Sequence, residues 1–484
     1  MSAQMNRRMF LGSTLAGGMM AAAGCAGEAG RAGAAAAAGE DDWPKPPPVR
    51  IHKLYVGRTG GIYMSRPKEE IAKFETYLAD LAKRLGDVQF TGGEVIPPAK
   101  AEEVIAKLQG DDAVLMFHLQ GHGGGAPNRP MSRILETGLP AAVFTQPFSG
   151  HGWMYFPQWQ KQGKRVILVP SSDWSDLDHA VRLLRVPAKM AHTRLIAVGR
   201  PKGTTATTKP DRVKKALGAE MLVWPNQKIL EAHQAVPLEA AQAEARRYWL
   251  SEAREVVEPT TDQIVNSARM YLAVKDLMIQ EKAQAITSSH CMGKPAKGCL
   301  TFSKLNDLGK VGACEGDVDS TLTMLLFQYA FGVPGFISDP VFDVSENALI
   351  HFHCTSATKM AGPASERLPF TIRNQSDSEQ GVSLDVEQRI GQEVTCAKLV
   401  NLDTMLISTG TIYKVTHDEL ACRTQFWTKV EDADAFYHNW GAGKINEAVH
   451  HTMALLHRVV FYGNRTKDME RLGHLMGFKV VREG

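Results

Sequence analysis

With 484 residues, 44% apolar and 22% charged, the chain has the composition of ordinary globular material for roughly two to four domains. A formal net charge of +3, with basic residues scattered along the sequence, argues against a nucleic-acid partner. The seven cysteines, none in a CxxC, are not a disulfide framework and read as mostly buried thiols spread through the core.

Residues 1–48 read as a targeting segment and tether. Met5-Asn6-Arg7-Arg8-Met9-Phe10-Leu11 is a basic start, followed by a weakly apolar stretch to Cys25 that is too short to span a bilayer as a stable helix. Arg7-Arg8-x-Phe-Leu resembles the twin-arginine export signal, departing from it at Asn6 and Gly12. Ala22-Ala23-Gly24-Cys25 resembles a lipoprotein cleavage box that lacks the usual branched first residue. These resemblances imply a folded, metal-loaded protein exported to the periplasm, with a lipid anchor site at Cys25. The Ala-, Gly- and Pro-rich residues 26–48 form a flexible tether.

From Arg50 the pattern alternates between strand and helix. Strands are predicted over 51–56, 113–117, 141–144 and 166–169, with an amphipathic helix over 69–85, giving a first α/β domain at 49–185. A second series, 186–364, has strands at 194–198, 221–224 and 283–288 and helices at 238–257 and 261–279. After Pro363 the runs LPFTIRNQ, GVSLDVEQ, EVTCAKLVN, TMLISTGTIYKV and CRTQFWTKV are short and β-branched, which predicts a small antiparallel sheet or barrel. A helix at 468–476 and a strand at 478–481 close this β-rich segment, 365–484. The fold class is α/β: two Rossmann-like α/β domains, then a small barrel-like C-terminal domain.

The chemistry concentrates in 311–354. An apolar run, 311–314, stops at Glu315, and Asp317 is placed to cap an amphipathic helix carrying Val318, Leu322, Leu325, Leu326 and Tyr329 on one face. Gly332 and Pro334 end it, and a second apolar run, 333–337, stops at Ser338-Asp339. Read as one βαβ unit, this sets Glu315 and Asp339 at the same carboxyl-terminal sheet edge, about 4.8 Å apart if the strands are neighbours. Carboxylates that close repel unless a proton or a cation lies between them, and a divalent metal fits. The alternative is local: Glu315 caps its own turn and Asp339 opens a loop before Pro340.

His351 and His353, at i and i+2 on a strand over 348–354, face the same way, either as a hydrogen-bonded core pair or as site residues. His438 and the pair His450-His451 form a second cluster. Neighbouring side chains diverge by about 100° on a helix or about 180° on a strand, so at most one of the pair faces an ion, the other touching substrate or a residue behind the ion. A Glu, an Asp and one or two His suit Mn²⁺, Mg²⁺ or Co²⁺ with open positions more than a closed structural zinc.

CEGDVDSTLTMLLFQYAFGVPGFISDP, then HFHC, then HHTMALLHRVVFYG with a closing helix and Gly477-Phe478-Lys479-Val480-Val481, resemble the L-fucose isomerase and L-arabinose isomerase superfamily. The resemblance implies a metal-dependent aldose–ketose isomerase, usually with manganese, working through an enediol. It implies Glu315 and Asp339 as metal ligands that also transfer the proton, and His451 as the metal-binding histidine. The spacing 339 − 315 = 24 looks like the fucose isomerase arrangement. On the same reading His353, His450 and His438 face substrate, and Trp153 is either a stacking surface for a sugar or a buried tryptophan. The resemblance also implies a homo-oligomer in which the N-terminal domain of one subunit helps cover the site of another. Gly121-His122-Gly123-Gly124-Gly125 resembles an esterase oxyanion loop, but no G-x-S-x-G follows, so it reads as a loop that approaches a ligand or a neighbouring subunit. A sugar isomerase feeding central metabolism is unexpected outside the cytoplasm. A noncatalytic periplasmic carbohydrate-binding protein on the same scaffold is therefore the alternative.

Overall fold

The computed structural model describes residues 43–59, 68–119, 128–149, 151–291, 293–443 and 453–484. The chain is a mixed α/β fold with two parallel sheets and a closed antiparallel barrel. Among the described residues no helix is long and apolar enough to cross a membrane.

The first sheet comprises β1 (Val49–Val56), β2 (Val88–Ile96), β3 (Ala113–His118), β4 (Ala141–Thr145) and β5 (Val166–Pro170), in the order β2-β1-β3-β4-β5, all parallel. β3 is buried along its whole length, as its unbroken apolar run requires of a strand covered on both faces. The helix Lys68–Leu85 docks Phe74, Leu78 and Leu81, spaced by one helical turn, onto the sheet. β2 is a strand that the sequence reading does not include, and it carries the pair Gly92-Gly93. Gly92 has φ +71°, and a Cβ there would sit 2.4 Å from His52 Nε2, so the strand passes His52 only as glycine.

The second sheet is also parallel: β6 (Arg194–Val198), β7 (Glu220–Trp224), β8 (Ala285–Ser288) and β9 (Val311–Ala313), ordered β7-β6-β8-β9. The expected helix over 238–257 is shorter, Leu238–Ala245, and runs into a π-turn at Arg246–Leu250.

The barrel takes β10 (Phe336–Asp343), β11 (Ala348–Phe352), β14 (Glu393–Val400), β15 (Thr404–Thr416), β16 (Gln425–Lys429) and β17 (Arg458–Tyr462). Its order is β14-β17-β10-β11-β16-β15, with β15 pairing back onto β14 to close it. A hairpin of β12 (Phe370–Gln375) and β13 (Gln380–Val386) stands as a separate two-stranded sheet, and β18 (Lys479–Arg482) runs parallel to part of β15.

The expected βαβ unit is not what forms. β9 lies in the second parallel sheet, whereas β10 enters the barrel and pairs antiparallel with β11 and β17. The reason lies in the helix between them, Val318–Phe331, which is buried on nearly every side and is not amphipathic. A helix buried all round, its polar residues included, is sandwiched between two layers, and the strand that follows it is free to join the second layer. Its Phe327 ring stacks on Phe461 of β17 with centroids 3.7 Å apart. Gly335 then lets β10 pass close to β17, since a Cβ there would meet Val459 Cγ1 at 2.5 Å.

Candidate metal centre

β9 ends at Ala313, and the chain reverses through Glu315 and Gly316, with φ +60° and +77°. That left-handed pair is unusual for a glutamate, and Gly316 is needed because a Cβ would come within 3.1 Å of Arg200 O. The turn is held by the Glu315 N–H, which donates to Cys291 Sγ at 3.3 Å. It brings Glu315 Oε1 to 3.9 Å from His353 Nε2.

Asp317 caps the helix as its sequence position predicts, accepting from Ser320 N at 3.0 Å. It is also the anchor of the site. Asp317 Oδ2 accepts from the Ser320 hydroxyl at 2.6 Å, from Lys398 Nζ at 2.7 Å and from His457 Nδ1 at 2.9 Å. Burial alone would push this carboxyl up, but the Lys398 charge and the His457 hydrogen bond outweigh it and hold Asp317 well below the usual carboxylate range.

His457 sits one residue before β17. The pairing Ser338↔Arg458 makes Asp339 and His457 cross-strand neighbours, and His457 Nε2 lies 3.4 Å from Asp339 Oδ1. Both atoms are shielded from solvent, and neither has a hydrogen-bond partner among the described residues. His353, just beyond the end of β11, completes the cluster with its ring edge-on to His457, centroids 5.5 Å apart. Burial would lower the His353 pKa, yet the Cys354 sulfur at 3.7 Å, Asp339 and Glu315 raise it overall.

Donor atoms of Asp339, His353 and His457 lie within 4.8 Å of one another, as do those of Cys314, Glu315 and His353. Glu315 and Asp339 therefore do converge around His353, but from different layers: Glu315 leaves the second parallel sheet and Asp339 rides on the barrel. The orphaned Asp339 and His457 atoms, with an O/N donor set and a carboxylate behind the histidine, fit a divalent first-row cation.

The remaining sequence candidates fall elsewhere. His351 is a core histidine, bonded to Ser338 Oγ at 2.9 Å and Thr428 Oγ1 at 3.0 Å, and burial lowers its pKa to about 3. His438 is exposed at the end of the short helix Ala433–His438, 3.9 Å from Asp434, and is not brought to the cluster. Trp153 is half-exposed in a turn of the first sheet's loops. His450, His451 and the Gly121–Gly125 loop lie outside the described residues.

His457 was missed, although it stands directly before an apolar strand run, RVVFY, in the same motif as His451. Lys398, a lone charge inside the apolar run EVTCAKLV, was a further signal of a buried partner. The described cysteines are mostly buried as expected, but four of them are gathered in two pairs and not spread. Cys291 and Cys314 have sulfurs 3.4 Å apart, Cys299 and Cys354 3.5 Å apart, and these buried pairs underlie Glu315 and His353.

No protein-family model matches the chain. A sulfoquinovose isomerase from Clostridium sp. (strain MSTE9) is 34% identical over 97 residues, which is 18% of this chain and 21% of the relative's length. The similarity is to a sugar isomerase.

Proposed function

We propose that the chain is a metal-dependent sugar isomerase interconverting an aldose and a ketose by proton transfer between neighbouring carbons. The observation that carries this reading is the pair of facing, unpartnered atoms, Asp339 Oδ1 and His457 Nε2, flanked by Glu315 and His353. Glu315, Asp339 and His457 are the residues that would hold the ion, Mn²⁺ first, with Mg²⁺ or Co²⁺ as alternatives. When bound, such an ion polarises the sugar oxygens and makes negative charge on them less costly.

The chain's own groups divide the remaining work. The Glu315 and Asp339 side chains keep 27% and 20% exposure, whereas His353 and His457 are almost fully buried, so the acids are the groups open to a sugar. Glu315 takes the proton from one carbon and returns it to the next, and Asp339 exchanges roles with it in the reverse direction. His353, buried behind Glu315 with its Nε2 3.9 Å from Glu315 Oε1, supports that carboxylate from within. The relative's substrate, sulfoquinovose, belongs in any substrate panel alongside simple aldoses. On the leader's resemblance the enzyme works outside the cytoplasm, anchored at Cys25; on the isomerase resemblance it is a homo-oligomer whose Trp153 loop covers a neighbouring site.

Purified protein incubated in D₂O with aldoses, with and without Mn²⁺, tests this by NMR of deuterium incorporation at C2. Metal-dependent incorporation is expected. Sugar binding without incorporation, across the whole panel, would replace the enzyme with a noncatalytic carbohydrate-binding protein.

A further inference from the structure

Lys398 plays no part in the reading above, yet it is the most costly side chain near the site to explain. It lies on β14, and its side chain is fully buried. A buried ammonium is strongly unfavourable unless paired and hydrogen-bonded. Lys398 Nζ donates to Asp317 Oδ2 at 2.7 Å and to Ser320 Oγ at 3.3 Å. The Ser320 hydroxyl in turn donates to the same Oδ2, at 2.6 Å, and its N–H donates to Asp317 Oδ1 at 3.0 Å.

This pattern decides which nitrogen of His457 carries its proton. Lysine only donates, so the carboxylate between Lys398 and His457 acts as the acceptor for both. His457 Nδ1, 2.9 Å from Asp317 Oδ2, must then be the N–H. A neutral imidazole has one N–H, so Nε2 is left as a bare lone pair. Nε2 lies 3.4 Å from Asp339 Oδ1, itself only an acceptor when ionised. Two facing lone pairs are unfavourable in isolation and are what a cation needs.

The geometry points to Lys398 and Asp317 as a positioning pair that locks His457 in its Nδ1–H tautomer, presenting Nε2 to a divalent cation. The pair rests on the metal reading of the site but names residues which that reading does not use. It also joins three elements: Asp317 opens the helix Val318–Phe331, Lys398 comes from β14, and His457 precedes β17. The orientation of the histidine is thereby tied to the docking of the barrel on the second sheet, and no single loop sets it.

The test uses the full-length, metal-free protein labelled with ¹⁵N-histidine, with the His457 signals assigned by their loss in His457→Gln. Two-bond couplings report the tautomer, which a merely structural lysine would leave unchanged. The expected result is Nδ1–H in the parent and a shifted tautomer in Lys398→Met. Mn²⁺ affinity, read from the electron paramagnetic signal of free Mn²⁺, should fall by roughly 10–100-fold in that variant while unfolding stays cooperative. An Nε2–H tautomer in the parent overturns the inference, as does unchanged Mn²⁺ affinity in folded Lys398→Met. Should Lys398→Met fail to fold, the parent tautomer decides alone. A parent that shows the Nδ1–H tautomer yet binds no Mn²⁺ supports the lock and overturns the metal reading instead.

Discussion

Asp339 Oδ1 and His457 Nε2 face each other at 3.4 Å, and neither finds a hydrogen-bond partner among the described residues. Buried polar atoms left unpaired cost free energy, so a fold that holds two of them in register has them in place for something that binds both. Asp339→Asn and His457→Gln should each weaken Mn²⁺ binding by more than the roughly 10–100-fold typical of an outer-shell partner. Calorimetric titration of the metal-free variants measures this. Wild-type affinity in both would take the pair out of the metal centre.

Glu315 is separable from these two because it reaches the cluster from the opposite layer, through the left-handed turn at Glu315-Gly316. Glu315→Gln keeps the side-chain shape and removes the base. Turnover should drop by a factor of roughly 10² to 10⁴ with the barrel unaffected. Deuterium incorporation at sugar C2 reads the loss, and incorporation at the parent rate would assign the proton transfer to another group.

What could be read from the sequence was local. Asp317 as a cap, Gly332 as a stop and the buried run of β3 each depend on residues a few positions away, and all three stand in the structure. The destination of β10 depends on β17, 120 residues later from Ser338 to Arg458, and no local pattern carries that pairing. The same distance hid His457, whose partner Asp317 lies 140 residues earlier. Glu315 and Asp339 each come near His353, but from two layers and not along one sheet edge. The helix Val318–Phe331 hid its setting, because Asp319, Ser320, Thr321 and Thr323 read as a solvent face yet are buried and hydrogen-bonded.

The gathered cysteines give a chemical check on that packing. Among the described cysteines Cys422 is half-buried, while Cys291, Cys299, Cys314, Cys354 and Cys396 are buried. Brief exposure of the native protein to N-ethylmaleimide should modify Cys422 and spare these five until the chain is unfolded. Peptide mass spectrometry resolves the sites. Early modification of Cys314 or Cys354 would mean that the layer beneath Glu315 and His353 is open to solvent.

His118 makes the first sheet acid-sensitive. It is buried at the end of β3 against Phe74, Phe117 and Phe144, and burial lowers its pKa from 6.5 to about 4. Between those values the unfolded chain binds a proton that the folded chain refuses, so stability rises with pH across the window. The contribution is complete above 6.5 and is lost as pH falls toward 4. At most it is on the order of 3 kcal/mol. His118→Leu should flatten the acid limb of a stability–pH curve from urea unfolding, and an unchanged limb would place the acid sensitivity elsewhere.

The strand that presents His457 is secured from the far end of the chain. Arg458 and Glu483 are both fully buried and form a two-point ion pair, with Arg458 Nε to Glu483 Oε2 at 2.8 Å and Nη2 to Oε1 at 2.6 Å. The guanidinium also lies 3.7 Å from the Trp440 ring centroid, and Glu483 Oε1 accepts from Gly441 N at 2.8 Å. Removing one partner leaves the other charge buried and unpaired, so Glu483→Ala should destabilise the protein by about 3–5 kcal/mol. Replacing both partners with apolar side chains of similar size should recover most of that loss, because the penalty belongs to the orphaned charge and not to the missing attraction. Arg458 also donates through Nη1 to the His457 carbonyl at 2.8 Å, so the single variant should weaken Mn²⁺ binding together with stability. Urea unfolding and Mn²⁺ titration of Glu483→Ala and of Arg458→Met/Glu483→Met measure both effects. A double variant as unstable as the single one would show that the pair's hydrogen-bond geometry, and not charge compensation, holds β17 in place.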